Sequence, residues 1–202
     1  MVDLERQINQ WLLDFYKSTG SEGTPYTEVN LSRFPSFEER CGGLAHIFPK
    51  VIEFPTFLSA TTHMYVWVGL LVIRQAIADV ARLHPYPLVR PKNQEAILLA
   101  AVEEMASNLC KTVPYLSQRI HSFAGLLACG SPLHFSMAWY KRRQDVPRTV
   151  WCGTVRDFLQ RDILAGGAYE TSLELTRPLL TWWMLPDIFE PAPIKKPALL
   201  KS

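Results

Sequence analysis

Apolar residues recur at helical spacing in the middle of the chain. Their positions are separated by steps of four, three, four and three residues: Val66, Leu70, Ile73, Ile77 and Val80. This spacing predicts one face of an α-helix. Residues 64–73 are apolar on every side, as is typical of a helix inside a protein. The sequence therefore predicts a central buried helix over about residues 57–83.

The same stretch is too polar to predict a membrane span. Residues 54–73 carry no charge, but four polar side chains interrupt them: Ser59, Thr61, Thr62 and His63. A spanning helix needs about 20 predominantly apolar residues, and the wholly apolar part here is about half that length. We therefore expect the helix to lie in the core of a soluble domain.

Helical patterns also flank the central stretch. The first follows Asp3 with an apolar stripe at Leu4, Ile8, Leu12 and Phe15. A loop rich in Ser, Thr, Gly and Pro follows at about residues 18–35. Ser36 and Glu39 form a predicted capping box for a short helix. An extended segment between Pro49 and Pro55 then leads into the central helix.

Four more helices are predicted after the proline-rich residues 84–91. One follows Asn93 until Pro114 kinks or ends it, and residues 115–130 are ambiguous. One begins at Ser131-Pro132 and turns Phe135, Ala138 and Trp139 inward. One begins at Pro147 and buries Trp151, Val155, Phe158 and Leu159. The last is a candidate at residues 171–185.

Together these patterns predict an all-α protein of six or seven helices. No stretch shows the alternation of apolar and polar residues that is convincing for a strand. Residues 1–185 form one predicted helical domain, and residues 186–202 a Pro-rich C-terminal tail. With 202 residues, 48% of them hydrophobic, the chain can bury a sizeable core.

Charge and cysteine content narrow the function classes. The formal net charge is only +2, which argues against a nucleic-acid surface of clustered cations. Four cysteines lie far apart in apolar contexts, which suggests a reducing compartment. The N-terminus carries charges where a signal peptide needs an apolar stretch. We therefore expect an intracellular, cytoplasmic protein.

Five segments, in order, resemble one protein family over about residues 30–165. They are RFPSFEER, IEFPTFLSATTHMYVWVGLLVI, NLCKTVPYL, SPLHFSMAWY and VWCGTVRDFLQRDI. Together they resemble the C-terminal regulatory half of fungal zinc-cluster transcription factors. The resemblance implies a helical regulatory domain. That family reads DNA with an N-terminal six-cysteine zinc cluster, and no cysteine precedes Cys41 here, so we expect no direct DNA binding.

Several polar side chains near apolar helices are candidates for a site that binds an apolar small molecule. Arg and His can polarise a carbonyl, and aromatic walls can hold a reactive conformer. The predicted catalytic residues are His63, Arg74, Arg119, His121 and His134, and the predicted substrate-binding residues are Trp67, Tyr115, Trp139 and Tyr140. Taken singly, each is more often a structural core or surface residue than a functional one.

No motif predicts a cofactor or a metal ion. There is no H-E-x-x-H, no phosphate-binding glycine loop and no G-x-S-x-G. His121, His134 and Asp145 match no established ligand spacing. Cys129 and His134 imitate a nucleophile and its base, but no third group orients them.

Two functions follow as hypotheses. The first is a cofactor-independent cyclase, of the cycloaddition or isomerisation type, that acts on an apolar terpenoid or polyketide intermediate of fungal secondary metabolism. The second is a transcriptional co-regulator without a DNA reader, which acts through protein–protein contact as a homodimer or heterodimer and is nuclear. The first predicts a hollow interior and the second a packed one.

Overall fold

The computed structural model describes residues 2–18, 26–83, 94–118, 120 and 122–167. The proline-rich segment at 84–91, the helix candidate at 171–185 and the Pro-rich tail lie outside these residues. The predicted boundary between domain and tail therefore stays a prediction.

The described residues form seven α-helices and confirm the all-α class. The helices are α1 (Val2–Ser18), α2 (Pro35–Cys41), α3 (Phe57–Leu83), α4 (Gln94–Leu116), α5 (Ser122–Ala128), α6 (Gly130–Arg143) and α7 (Val146–Gly167). Short 3-10 helices at Leu31–Arg33 and Gly42–Ile47 flank α2. The core lies where α4 packs against α3 and α6, and α6 packs against α7.

A small antiparallel sheet, which the sequence did not predict, precedes α3. β1 (Thr27–Asn30) pairs with β2 (Lys50–Glu53), with Thr27 opposite Glu53. β2 is the extended segment expected between Pro49 and Pro55, whereas β1 falls within the predicted loop. Val51 and Ile52 on β2 are fully buried, and β2 packs against α4. The sheet therefore closes one side of the core.

α3 confirms the bounds predicted for the central helix. It does not confirm the prediction that this helix is buried on all sides. One side is buried, with Ala60, Met64, Trp67 and Leu71 all at most 5% exposed. The opposite side is the outer face of α3, formed by Leu58, Thr62, Tyr65, Gly69, Val72, Ala76 and Val80. On this face Leu58 and Tyr65 are more than 60% exposed. Residues 64–73 are apolar all round, but neighbouring elements cover only part of the helix.

By length and composition alone, Phe57–Val80 of α3 could cross a membrane. Its mean hydropathy is 1.2, and 39% of the window is buried inside the protein. One such helix among the described residues is weak evidence for a span, because the core helix of a soluble protein passes the same test.

Several helix ends differ from the predicted ones. α2 begins at Pro35 after Phe34, and no side chain caps it, so the predicted Ser36 capping box is wrong. α6 begins at Gly130 rather than with Ser131 as its cap. α4 continues through Pro114 to Leu116. Pro114 lies in the last turn of α4, two residues before the helix ends.

The buried face of α6 also differs from the predicted one. Trp139 is buried as expected, but Phe135 and Ala138 are only half-buried. The buried residues of α6 are Pro132, Leu133, Ser136, Met137, Trp139 and Tyr140. The apolar face predicted for α7 is confirmed, since Trp151, Val155, Phe158 and Leu159 are all buried.

Candidate functional site

An aromatic cluster lies between the small sheet, α3 and α4. His63 is 1% exposed, and its ring centroid is 5.2 Å from Phe54 and 5.5 Å from Trp67. Tyr26 packs edge-on to both His63 and Trp67, and Tyr115 lies 5.7 Å from Phe54. The structure thus brings together three of the predicted site residues, His63, Trp67 and Tyr115.

His63 is held in one orientation and in its neutral form. Its Nδ1 lies 2.7 Å from the carbonyl oxygen of Ser59, one turn earlier on α3. Because a carbonyl only accepts hydrogen bonds, Nδ1 carries the proton. Burial lowers the pKa of His63, and the bond to Ser59 opposes this effect only in part. A neutral imidazole packed among rings is typical of a structural core histidine.

Trp139 and Tyr140 lie elsewhere, where α4, α6 and the start of α7 meet. The indole N–H of Trp139 donates to Glu103 Oε2 at 2.7 Å. Arg148 donates to the other oxygen of Glu103, and its Nη1 is 3.5 Å from Asp145 Oδ2. Its guanidinium also lies 5.3 Å above the Tyr140 ring. Tyr140 is fully buried, and desolvation first, followed by the nearby Cys110 thiol, raises the pKa of its hydroxyl strongly.

This region contains the first of two open concavities. We name it the α4–α6 wedge, a space of about 510 Å³ lined by Ala96, Leu99, Ala100, Glu103, Trp139, Arg143, Asp145 and Arg148. Its lining combines apolar side chains with four charged groups, two carboxylates and two guanidinium groups, which we call its rim.

The second concavity runs between α1 and the outer face of α3. We name it the α1–α3 groove, a space of about 530 Å³ lined by Gln7, Ile8, Trp11, Thr62, Tyr65, Val66 and Gly69. None of these described lining residues is charged. Trp11 is 54% exposed and stacks on Phe15 at 5.8 Å, so about half of this side chain is open to solvent.

The structure describes two of the other predicted catalytic residues, Arg74 and His134. Arg74 follows His63 by eleven residues, about 16 Å along the axis of α3. His134 is half-buried on α6 and packs edge-on to Phe135 at 5.4 Å. Arg119 and His121 lie outside the described residues.

The residues that line the two concavities were mostly not among the predicted site residues. Glu103 and Arg148, which line the wedge, are not among the predicted site residues. A usable signal was the indole of Trp139, because a buried Trp N–H needs an acceptor. For Trp11 and Tyr65 the sequence holds no such signal, since their exposure depends on how α1 and α3 pack.

No group of three or more His, Cys, Asp or Glu residues that could hold a metal ion occurs in the described part of the chain. All four cysteines are free and buried, and desolvation raises the pKa of Cys41 to about 12.

No protein-family model, curated protein or solved structure matches this chain.

Proposed function

We propose that this protein is an interaction module whose outer face of α3 pairs with a domain of the same fold, in the simplest case a second copy of the chain. The observation that carries the proposal is the apolar character of that exposed face. Leu58, Tyr65, Val72 and Val80 are 63%, 64%, 41% and 49% exposed. Contiguous exposed apolar surface of this kind marks an interaction site.

The spacing on the outer face suits a helical partner. Leu58, Tyr65 and Val72 are seven residues apart, and a seven-residue repeat keeps one stripe facing a neighbouring helix along its length. The face includes the small residues Gly69 and Ala76, which let a second helix approach closely. It contains no charged residue, so two copies meet without repulsion of like charges.

The size of the surface is close to what a dimer needs. From Leu58 to Val80 the stripe is about 33 Å long, and with α1 beside it the footprint covers roughly 600–700 Å². A standard interface buries about 800 Å² on each partner. Polar side chains at the rim, such as the ion pair between Asp79 and Arg142 (2.6 Å), supply further contact area.

The cellular role that we propose for this module is transcriptional co-regulation without direct DNA contact. It rests on the resemblance of residues 30–165 to the regulatory half of fungal zinc-cluster transcription factors. Under this proposal the chain pairs with the equivalent domain of a full-length regulator and changes its activity.

The test is the oligomeric state of the purified protein, measured by sedimentation equilibrium. We expect a dimer for the natural sequence and a monomer for Tyr65→Arg, because two guanidinium groups then face each other across the apolar stripe. The matched control is Ile97→Arg on α4, which replaces an apolar residue that is 67% exposed. This variant should stay dimeric. A natural protein that remains monomeric at high concentration contradicts the proposal, and so does a dimer unaffected by Tyr65→Arg.

A second candidate function is the cofactor-independent cyclisation of an apolar terpenoid or polyketide intermediate, and the α1–α3 groove favours it. Its volume of about 530 Å³ is within the range of small-molecule sites, which are mainly apolar with a few polar groups. Gln7, Thr62 and the Tyr65 hydroxyl would supply those polar groups. With no charged lining, the groove would act by holding one conformer of the substrate rather than by acid–base chemistry.

Filling the groove separates the second candidate from the first. A side chain added at Gly69 enters open space, and the same holds for Gly153 on α7, outside the groove. We expect Gly69→Leu to abolish thermal stabilisation by an apolar ligand such as farnesol, whereas Gly153→Leu should retain it. Equal stabilisation of both variants contradicts binding in this groove.

A further inference from the structure

We propose that the α4–α6 wedge is a binding site for an organic monocarboxylate with an apolar body. The proposal is independent of pairing through α3, because the wedge is lined by α4, α6 and the start of α7. It rests on two observations, which concern the charged groups at the rim and the apolar part of the lining.

The two carboxylates at the rim are already committed to protein donors. Glu103 accepts from Trp139 and from Arg148, and Asp145 Oδ1 accepts the backbone N–H of Arg148 at 3.2 Å. The Arg148 guanidinium bridges both acidic side chains. These three charged groups therefore form a closed network with little capacity left for a ligand.

Arg143 is the charged group at the rim with capacity for a ligand. It makes no ion pair with any described residue, and its guanidinium lies 5.8 Å from the Trp139 ring centroid. A planar guanidinium can bind a carboxylate through two parallel hydrogen bonds. The four charged side chains among the described lining residues sum to zero, so we expect a single negative charge on the ligand rather than a polyanion.

The apolar part of the lining defines the body of the ligand. Ala96, Leu99 and Ala100 share one face of α4, whereas Trp139 contributes little surface because it is only 4% exposed. We therefore expect an apolar body to lie against the three side chains of α4. The volume of about 510 Å³ admits a fused bicyclic acid.

The test compares naphthalene-2-carboxylate with its neutral isostere naphthalene-2-carboxamide by isothermal titration calorimetry on the full chain. We expect the carboxylate to bind about tenfold more tightly, because a charge-assisted hydrogen bond is stronger than a neutral one. Arg143→Gln should remove this preference and leave carboxamide binding unchanged. The matched control is Arg161→Gln, which alters an exposed arginine of α7. Among the described residues, its hydrogen bond is to the carbonyl oxygen of Asp157 (3.2 Å), and this variant should bind as the natural protein does.

Ala100→Trp tests the position of the ligand, since the larger side chain fills the wedge and should abolish binding of both compounds. Circular dichroism of each variant verifies that it is folded. Equal affinity for carboxylate and carboxamide, a preference that persists in Arg143→Gln, or no binding of either compound overturns the proposal.

Discussion

Leu71 and Val72 are neighbours on α3, yet Leu71 is fully buried and Val72 is 41% exposed. The same contrast separates Trp67, at 5% exposure, from Tyr65, at 64%. On the buried side α4 packs against α3, whereas α1 lies beside the outer face. One helix thus presents similar side chains to two different surroundings.

The contrast shows that the apolar composition of a helix does not specify what covers it. The buried side makes the core, and its aromatic cluster is packed ring against ring. The outer face offers comparable apolar area to solvent, which is costly unless something covers it. The two sides should therefore respond differently to the same substitution.

The largest expected effect is on the free energy of unfolding, when Leu71 and Val72 are each truncated to alanine. Leu71→Ala leaves a cavity in the core and should lower the free energy of unfolding by about 2–5 kcal/mol. Val72→Ala removes an exposed side chain and should change it by less than about 0.5 kcal/mol. Urea denaturation at low protein concentration measures both. Similar losses for the two variants would show that the outer face is buried in the monomer.

The same contrast explains which features of α3 could be predicted from the sequence. Helical periodicity is local, so residues 57–83 were placed correctly from spacing alone. Which side of the helix is buried is not determined locally, because it depends on where α1 and α4 pack. β1 was missed for a related reason: it lies in a stretch of turn-forming residues, and its partner β2 is about 20 residues further along the chain. The end predicted for α4 at Pro114 was two residues early, since the helix continues to Leu116.

The candidate sites were less predictable than the fold. His63, Trp67 and Tyr115 were named together and do meet, but as tightly packed rings. The two concavities depend on residues that are unremarkable in sequence, such as Gly69, Ala100 and Glu103. Which space stays open between helices depends on their packing, and no local pattern encodes it.

The second expected effect is a pH dependence of the free energy of unfolding, which arises from His63 on the buried side of α3. Burial lowers the pKa of His63, so below its ordinary value of about 6.5 the unfolded chain binds a proton that the folded protein does not. The free energy of unfolding therefore falls as the pH drops below about 6.5, by at most ~1.4 kcal/mol per pH unit for one proton. His63→Phe should reduce this loss.

Denaturation midpoints between about pH 7.5 and 5.5 measure the effect, a window in which histidine is the main titrating side chain. The control is His46→Gln, which replaces an exposed histidine outside the aromatic cluster and should keep the natural slope. Identical slopes for the natural protein and His63→Phe would mean that folding does not lower the pKa of His63, contrary to the effect expected from its burial.

The smallest effect tests whether the outer face is open at its centre. Alanine is more favourable than glycine inside a helix by about 0.5–1 kcal/mol, provided that its methyl group has room. Gly69 and Gly153 both have open space there, so Gly69→Ala and Gly153→Ala should each stabilise the monomer by about this amount in urea denaturation at low concentration. If only Gly153→Ala stabilises, α1 lies closer to α3 than the groove allows. A different outcome is that both variants are more stable than the natural protein at low concentration, but Gly69→Ala is no longer more stable where the protein is dimeric. This outcome would show that the partner helix packs directly against Gly69.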